Sequence, residues 1–480
     1  MNRVAAIARD LSQVYKGHLS LFAVIFAVSV ISNSANAQYF NLGKGNTLEF
    51  YDVDYSQAPQ QASVDALALI HHISLQADSD GAYLSLGGEL REQMWGLDEK
   101  SYGLNGPPRV NDYVLQRALL DFYLHLNDHI AIFVQPARYD AFGEIGPKTT
   151  DESDGRLQQA FLELKGSVAS AFATIRVGRQ EIALGSTRFV WINDSSNVRT
   201  THDGVRVKLD FGDTTSLDFA FTRPVTPTYG AFNDFNSHSG TFGEAYLTQT
   251  VIPHILNIDG YYYYRDNPAA QYLTYTGDER RDTVGGRLWG AVDDFKYDSD
   301  VAYQFGTFEN REISAVGMST RVLYTFEDEI LKPGVQFQGS YFSGSDSSDG
   351  TIGTFSAPMP RPTSLNYIGL NTLENLIEAY PALLVQPAPD FTFRFGPESL
   401  WRASNYDAVY ISRTTPLTKT ISNTDQASYI GTNLIATLQW TPIEHIVVFG
   451  EFLHQLAGPA ITQAGGRPAE AGELQVDLQL

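Results

Sequence analysis

From Tyr83 to the C-terminus, apolar and polar residues alternate with a period of two, segment after segment. That period belongs to extended strands with one apolar and one polar face. Leu84, Leu86 and Leu90 oppose Ser85, Glu89, Arg91 and Gln93; Ala118, Leu120, Phe122, Leu124 and Leu126 oppose Arg117, Asp121, Tyr123 and His125. The same pattern recurs in Ala160–Leu164, Leu217–Phe221, Tyr297–Phe305, Val316–Tyr324, Phe391–Phe395 and Leu434–Trp440. A soluble sandwich or propeller would alternate too, but its strands average about 5–6 residues. Many segments here reach about ten, the length a tilted strand needs to cross a bilayer. No blade-length or coil-length repeat points to a propeller or a β-helix.

The connections alternate as well. Asn127-Asp128, Gly212-Asp213-Thr214 and Thr441-Pro442 read as tight turns, whereas Leu97–Asn111, Gly143–Gly155, Thr226–Gly240, Gly344–Tyr367 and Thr414–Gln426 read as long polar loops. Short turns on one rim and long loops on the other characterise outer-membrane barrels. The expected fold is therefore all-β: a transmembrane outer-membrane β-barrel of about 18 antiparallel strands, with short periplasmic turns and long extracellular loops.

The N-terminus agrees with that address. Arg3, Arg9 and Lys16 precede an apolar run, Leu19–Ile31, and Ala35-Asn36-Ala37 fits a cleavage site. The run is too short for a spanning helix and reads as a secretory signal over residues 1–37. Residues 38–80 read as a periplasmic lead-in with a short helical piece in Val64–Ile73, and residues 81–480 as the barrel. No Cys is present, so a closed strand ladder takes the place of disulfides. The 33 basic against 55 acidic residues give a net charge of −22, and −24 once the signal is removed, which argues against nucleic acid as a partner.

If the apolar face meets lipid, the polar face lines a lumen. Parity then directs Arg91, Arg117, Arg206, Lys208, Arg287, Arg321 and Arg394 inward, among the carboxylates Glu89, Asp121, Glu163, Asp210, Asp218 and Asp300. Guanidinium groups present forked donors matched to carboxylates, and charged rings set pore selectivity. The bland alternative is that each arginine pairs with a neighbouring carboxylate and braces the wall. On the functional reading, some positive potential is left over inside and the excess acid sits mostly on the loops. Catalytic patterns are poor: there is no G-x-S-x-G elbow and no H-E-x-x-H helix. His71-His72 reads as a surface pair, and the SGSDSSDG stretch around Asp346 and Asp349 as a flexible loop rather than a Ca²⁺ site. No enzyme, metal or cofactor is expected.

One stretch stands apart. Val177–Phe211 joins two alternating segments by a long connection rich in arginine, and loops of such length in compact domains are usually functional. Its residues Gly178, Arg179, Gln180, Glu181, Gly185, Arg188, Arg199, Asp203 and Gly204 resemble the signature of the alginate export family of outer-membrane proteins. The resemblance implies a monomeric barrel of 18 antiparallel strands. It further implies outward passage of a polyuronate through an arginine-rich lumen, with a periplasmic loop as gate. Outer-membrane lipid, an anionic saccharide and periplasmic secretion proteins are the partners it implies. Two other readings remain open at this stage: an anion-selective porin taking up small acidic sugars or organic acids, and, from another class, an outer-membrane polysaccharide hydrolase or lyase.

Overall fold

The computed structural model describes residues 68–75, 81–99, 101–104, 110–236, 240–346, 350–360, 368–411, 415–421 and 427–480. The basic segment, the apolar run and the cleavage motif of the N-terminus lie outside the described residues, as do residues 64–67 of the expected helical piece and Asp349.

Eighteen strands form the wall: β1 (Tyr83–Asp98), β2 (Val110–Asn127), β3 (Ile130–Phe142), β4 (Ser153–Val168), β5 (Ala171–Gln180), β6 (His202–Phe211), β7 (Thr215–Thr226), β8 (Thr241–Ile252) and β9 (Leu256–Tyr272) make the first half. The second half is β10 (Tyr275–Val292), β11 (Phe295–Phe308), β12 (Arg311–Thr325), β13 (Gly334–Phe342), β14 (Leu376–Ala388), β15 (Phe391–Arg402), β16 (Tyr429–Ile443), β17 (Ile446–Ala457) and β18 (Glu470–Gln479). Each strand pairs antiparallel with the next, and β18 closes on β1 through Glu89↔Gln479 to Asp98↔Glu470. Closure leaves no open sheet edge, which is what permits a sheet to span lipid.

The alternation sets the two faces. Leu120 (54% exposed), Phe219 (40%) and Val301 (54%) point outward, while Arg117, Asp298 and Gln304 are fully buried on the inner side. Phe211, Phe295, Tyr324 and Trp440 stand exposed on the outer face near the tight-turn rim, the position of an aromatic girdle.

Along that rim most turns have two or three residues, with 326–333 longer. The loops at the other rim are long except for 273–274 and 309–310. Two turns fall slightly beyond the sequence reading: Asp128-His129 follows β2, and Glu444-His445 follows β16 past a bulge at Trp440/Ile443. Polar residues there continue the ladder beyond the apolar band, so hydropathy ends before the strand does. The strand Ile73–Ser74 pairs with Leu84 and Tyr83, covering the edge of β1 below its closure with β18. His72 stacks on Tyr83 at 4.3 Å and Tyr83 on His125 at 4.5 Å, so His72 is a packing residue.

Candidate functional site

The long connection 181–201 folds into the barrel. Its strands are β5 and β6, yet its residues bond inner-face groups on β1, β2 and β11, far around the wall. Two of the signature glycines permit its take-off. Gly178 and Gly204 face each other across β5 and β6. A Cβ at Gly178 would sit 2.3 Å from the Ala160 carbonyl oxygen, and its φ is +139°. A Cβ at Gly204 would sit 2.4 Å from the Phe221 carbonyl oxygen. Neither position admits a side chain without moving a strand.

At the far end of the connection, the turn Asn193–Ser196 delivers Asp194 to three arginines. Arg91 Nη1 donates to Asp194 Oδ1 at 3.0 Å and Arg91 Nη2 to Oδ2 at 3.1 Å. Arg117 Nη1 lies 2.8 Å and Arg199 Nε 2.6 Å from the same Oδ1. Arg91 and Arg117 are register partners on β1 and β2. Glu89 accepts from Arg117 (3.0 Å) and Arg199 (2.7 Å), and Asp477 from Arg91 (2.5 Å). Arg117 also donates to the carbonyls of Ser196 and Asn197, both at 2.7 Å, which fixes the turn's backbone. Three guanidiniums thus meet three carboxylates. Burial works against the charged form of Asp194, but the guanidiniums of Arg199, Arg91 and Arg117 outweigh it and hold the carboxyl well below the usual aspartate range.

The near end of the connection docks on a second cluster. Arg188 bonds Asp300 and lies 3.8 Å from Asp298; Arg287 bonds Asp259 at 3.0 Å and Asp298 at 2.7 Å; Arg321 lies 3.8 Å from Asp298. Beside it Phe189 packs on Tyr261, Phe342 and Phe355, and Tyr246 and Tyr263 stack on Tyr261. Residues 350–360, between β13 and β14, join this apolar cluster: Trp191 N–H donates to the Met359 carbonyl, and Arg265 and Arg281 donate to the carbonyls of Ala357 and Thr354.

The remaining expected residues also have partners. Arg206 pairs with Asp218 at 2.7 Å and Lys208 with Asp210 at 3.2 Å, the latter lysine half exposed near the tight-turn rim. Arg394 places its guanidinium 5.6 Å from the Tyr380 ring. Gln180 and Glu181 are buried, with Glu181 accepting from Gln158 at 2.5 Å. Burial pushes the Glu181 carboxyl up.

Three findings depart from the sequence reading. Arg179 and Asp203 are strand residues, not loop residues; they pair at 2.8 Å, and their register sets them on the outward side with Val177 and Val205. The inner face holds further arginines, Arg176, Arg265 and Arg281, paired with Glu163 and Glu279. The acid excess is not confined to the loops. On β14–β18 the inward carboxylates Glu378, Glu398, Glu451 and Glu473 accept from Gln338, Asn433, the Ile368 amide and Gln93. A buried polar group enclosed by a barrel must find its partner on the wall or on an inserted loop, and these four carboxyls take neutral amide donors there.

An 18-stranded closed barrel, apolar outside and charged within, with long connections folded across its interior, is the class of outer-membrane channels. Comparison of sequences then specifies the family. The alginate export family matches over residues 82–472, and the chain belongs to that family. No curated protein matches the chain in sequence. Among solved structures, OpdO of Pseudomonas aeruginosa aligns with TM-score 0.56 at 12% identity, covering 83% of this chain and 97% of that one. OpdK of the same organism, solved with vanillate, aligns at 0.56 and 11% identity, covering 83% and 98%. OccK2 (OpdF), solved in complex with glucuronate, aligns at 0.54 and 11% identity, again over 83% and 98%. At such identities the likeness is one of fold.

Proposed function

We propose that this barrel passes an anionic polysaccharide of the alginate type outward across the outer membrane, along the arginine-bearing part of its interior, after cleavage of residues 1–37 as a signal. The observation that carries this reading is the convergence of Arg91, Arg117 and Arg199 on one carboxylate. The same forked donors fit the carboxylate that every uronate unit carries. Arg206, Arg287, Arg321 and Arg394, on β6, β10, β12 and β15, supply further contacts, and a polyanion that exchanges between moderate sites moves, whereas one held at a deep site does not. The path is anion-selective and the barrel works as a monomer, supplied by periplasmic secretion proteins. Family and fold indicate a transport channel rather than an enzyme.

The second reading, uptake of small acids, draws on the connection 181–201 and on residues 350–360, which lie in the interior where a polymer would run. OpdK and OccK2, solved with vanillate and glucuronate, also bind small carboxylates. Liposomes carrying the protein separate the two. An exporter of polymer admits uronate oligomers of increasing length in preference to neutral oligomers of equal size; a small-acid porin admits the monomer and excludes the oligomers. Equal entry of charged and neutral sugars contradicts both.

A further inference from the structure

We propose that Arg91, Arg117 and Arg199 form a carboxylate-binding site for the cargo, and that Asp194 fills this site in the resting channel as an internal substitute for a uronate. The inference rests on the anionic-cargo reading and adds to it the place of recognition and the means of closure.

The geometry is that of a bound ligand. Asp194 takes forked hydrogen bonds from Arg91 and single contacts from Arg117 and Arg199. It comes from a turn, Asn193–Ser196, closed by the Ser196 N–H donating to the Asn193 carbonyl at 3.1 Å, with Asn193 at φ +60°. Arg199 does not depend on that turn: it holds Glu89 at 2.7 Å and lies three residues from β6. The Asp194 side chain can therefore withdraw and leave all three arginines in place, with Arg117 still bonded to the Ser196 and Asn197 carbonyls.

Charge selects the molecule that can replace Asp194. With Asp194 docked, three guanidiniums balance Glu89, Asp194 and Asp477. Without it, three guanidiniums face two carboxylates, one positive charge in excess. A single uronate carboxylate restores the balance; a neutral sugar does not. The outer edge of the cluster is also where a ligand arrives, since the side chains of Arg199, Asp194 and Glu89 keep 10–13% of their surface while Arg117 keeps none. Exchange of Asp194 for a cargo carboxylate thus removes the turn's side-chain tether, leaves it held by the Arg117 bonds to the Ser196 and Asn197 carbonyls, and makes loosening of the connection conditional on the presence of an acidic sugar.

The test is glucuronate binding by the full-length protein in planar bilayers, read from single-channel current fluctuations, with glucose as the neutral control. Asp194→Asn keeps the side chain's size and removes its charge; Asp194→Ala removes both. Both variants bind glucuronate more tightly than the wild type, on the order of tenfold, the change produced by freeing a site otherwise available about one-tenth of the time. Glucose is unaffected. If both variants assemble, retain anion preference and bind glucuronate no more tightly than the wild type, Asp194 is a brace and the inference falls while the channel reading stands. Failure of both variants to form a heat-modifiable barrel also makes it a brace. If the wild type shows neither anion preference nor glucuronate binding, the anionic-cargo reading falls and takes this inference with it.

Discussion

Arg91 and Arg117 stand opposite each other on adjacent strands, and both guanidiniums close on the Asp194 carboxylate, at 3.0 and 2.8 Å. Like charges in register would repel. An aspartate from the connection between β5 and β6, together with Glu89 and Asp477, turns that repulsion into a latch. Arg117 is fully buried and also carries two backbone carbonyls of the turn. Arg117→Ala therefore leaves Asp194 and Glu89 undercompensated, and breaking such a buried arrangement costs about 3–5 kcal/mol. The heat-modifiable band of the variant should convert at a clearly lower temperature than wild type. Arg206→Ala, where the arginine itself keeps 14% of its side-chain surface against none for Arg117, should change that temperature much less.

The outward face makes the opposite demand. Leu120 and Phe219 project from the wall where lipid tails lie. Arginine there costs about 2–4 kcal/mol near the bilayer midplane. Leu120→Arg and Phe219→Arg should reduce assembly into vesicles, measured by the folded fraction on semi-native gels. Normal assembly of these variants would mean that the faces are assigned the wrong way round.

Gly178 tests the take-off of the inserted loop. A methyl group there meets the Ala160 carbonyl oxygen at 2.3 Å, at a φ that L residues avoid. Gly178→Ala should loosen β4 from β5 and undock the connection 181–201, seen as protease cleavage within that connection while the rest of the barrel stays resistant.

Asp194 also predicts a pH response. Its folded carboxyl lies well below the ordinary value of 3.8. A depressed acid stabilises the docked state fully above the undocked value and loses that contribution only as pH falls through the depressed one. Docking should thus be constant from pH 7 to about 4 and weaken at more acidic pH. Protease access to the turn, followed from pH 7 to 3, should show this dependence in the wild type and lack it in Asp194→Asn. A transition near neutral pH would assign the latch to another group.

Much of this was legible in the residue pattern, because a lipid-facing wall leaves a strict period of two. The inward direction of Arg91, Arg117, Arg206, Arg287, Arg321 and Arg394 follows from parity alone, as does the outward direction of Leu120 and Phe219. The pattern fails where both faces are of one kind. Arg280 and Arg281 are adjacent and point opposite ways, and the flanking Asp278, Glu279 and Asp282 hide the parity. Tyr261–Tyr264 hides it in the same manner, so the aromatic cluster inside the barrel carried no signal. The pairing of Asp194 with Arg91 spans 103 residues and depends on how a loop folds, which no local period encodes. The inner-wall carboxylates of β14–β18 were missed because net charge says how much acid there is, not which way it faces.

The central claim is an anion-selective interior whose arginines act on what passes. The direct measurement is the reversal potential of the reconstituted channel across a salt gradient, in the wild type and with Arg206, Arg321 and Arg394 replaced by Glu singly and together. The account predicts anion preference in the wild type, a weaker preference in each single variant, inversion when two or three are combined, and convergence of all of them at high salt, where screening shortens to about 3 Å at 1 M. A cation-preferring wild type, or a reversal potential indifferent to all three substitutions in well-assembled barrels, would contradict it.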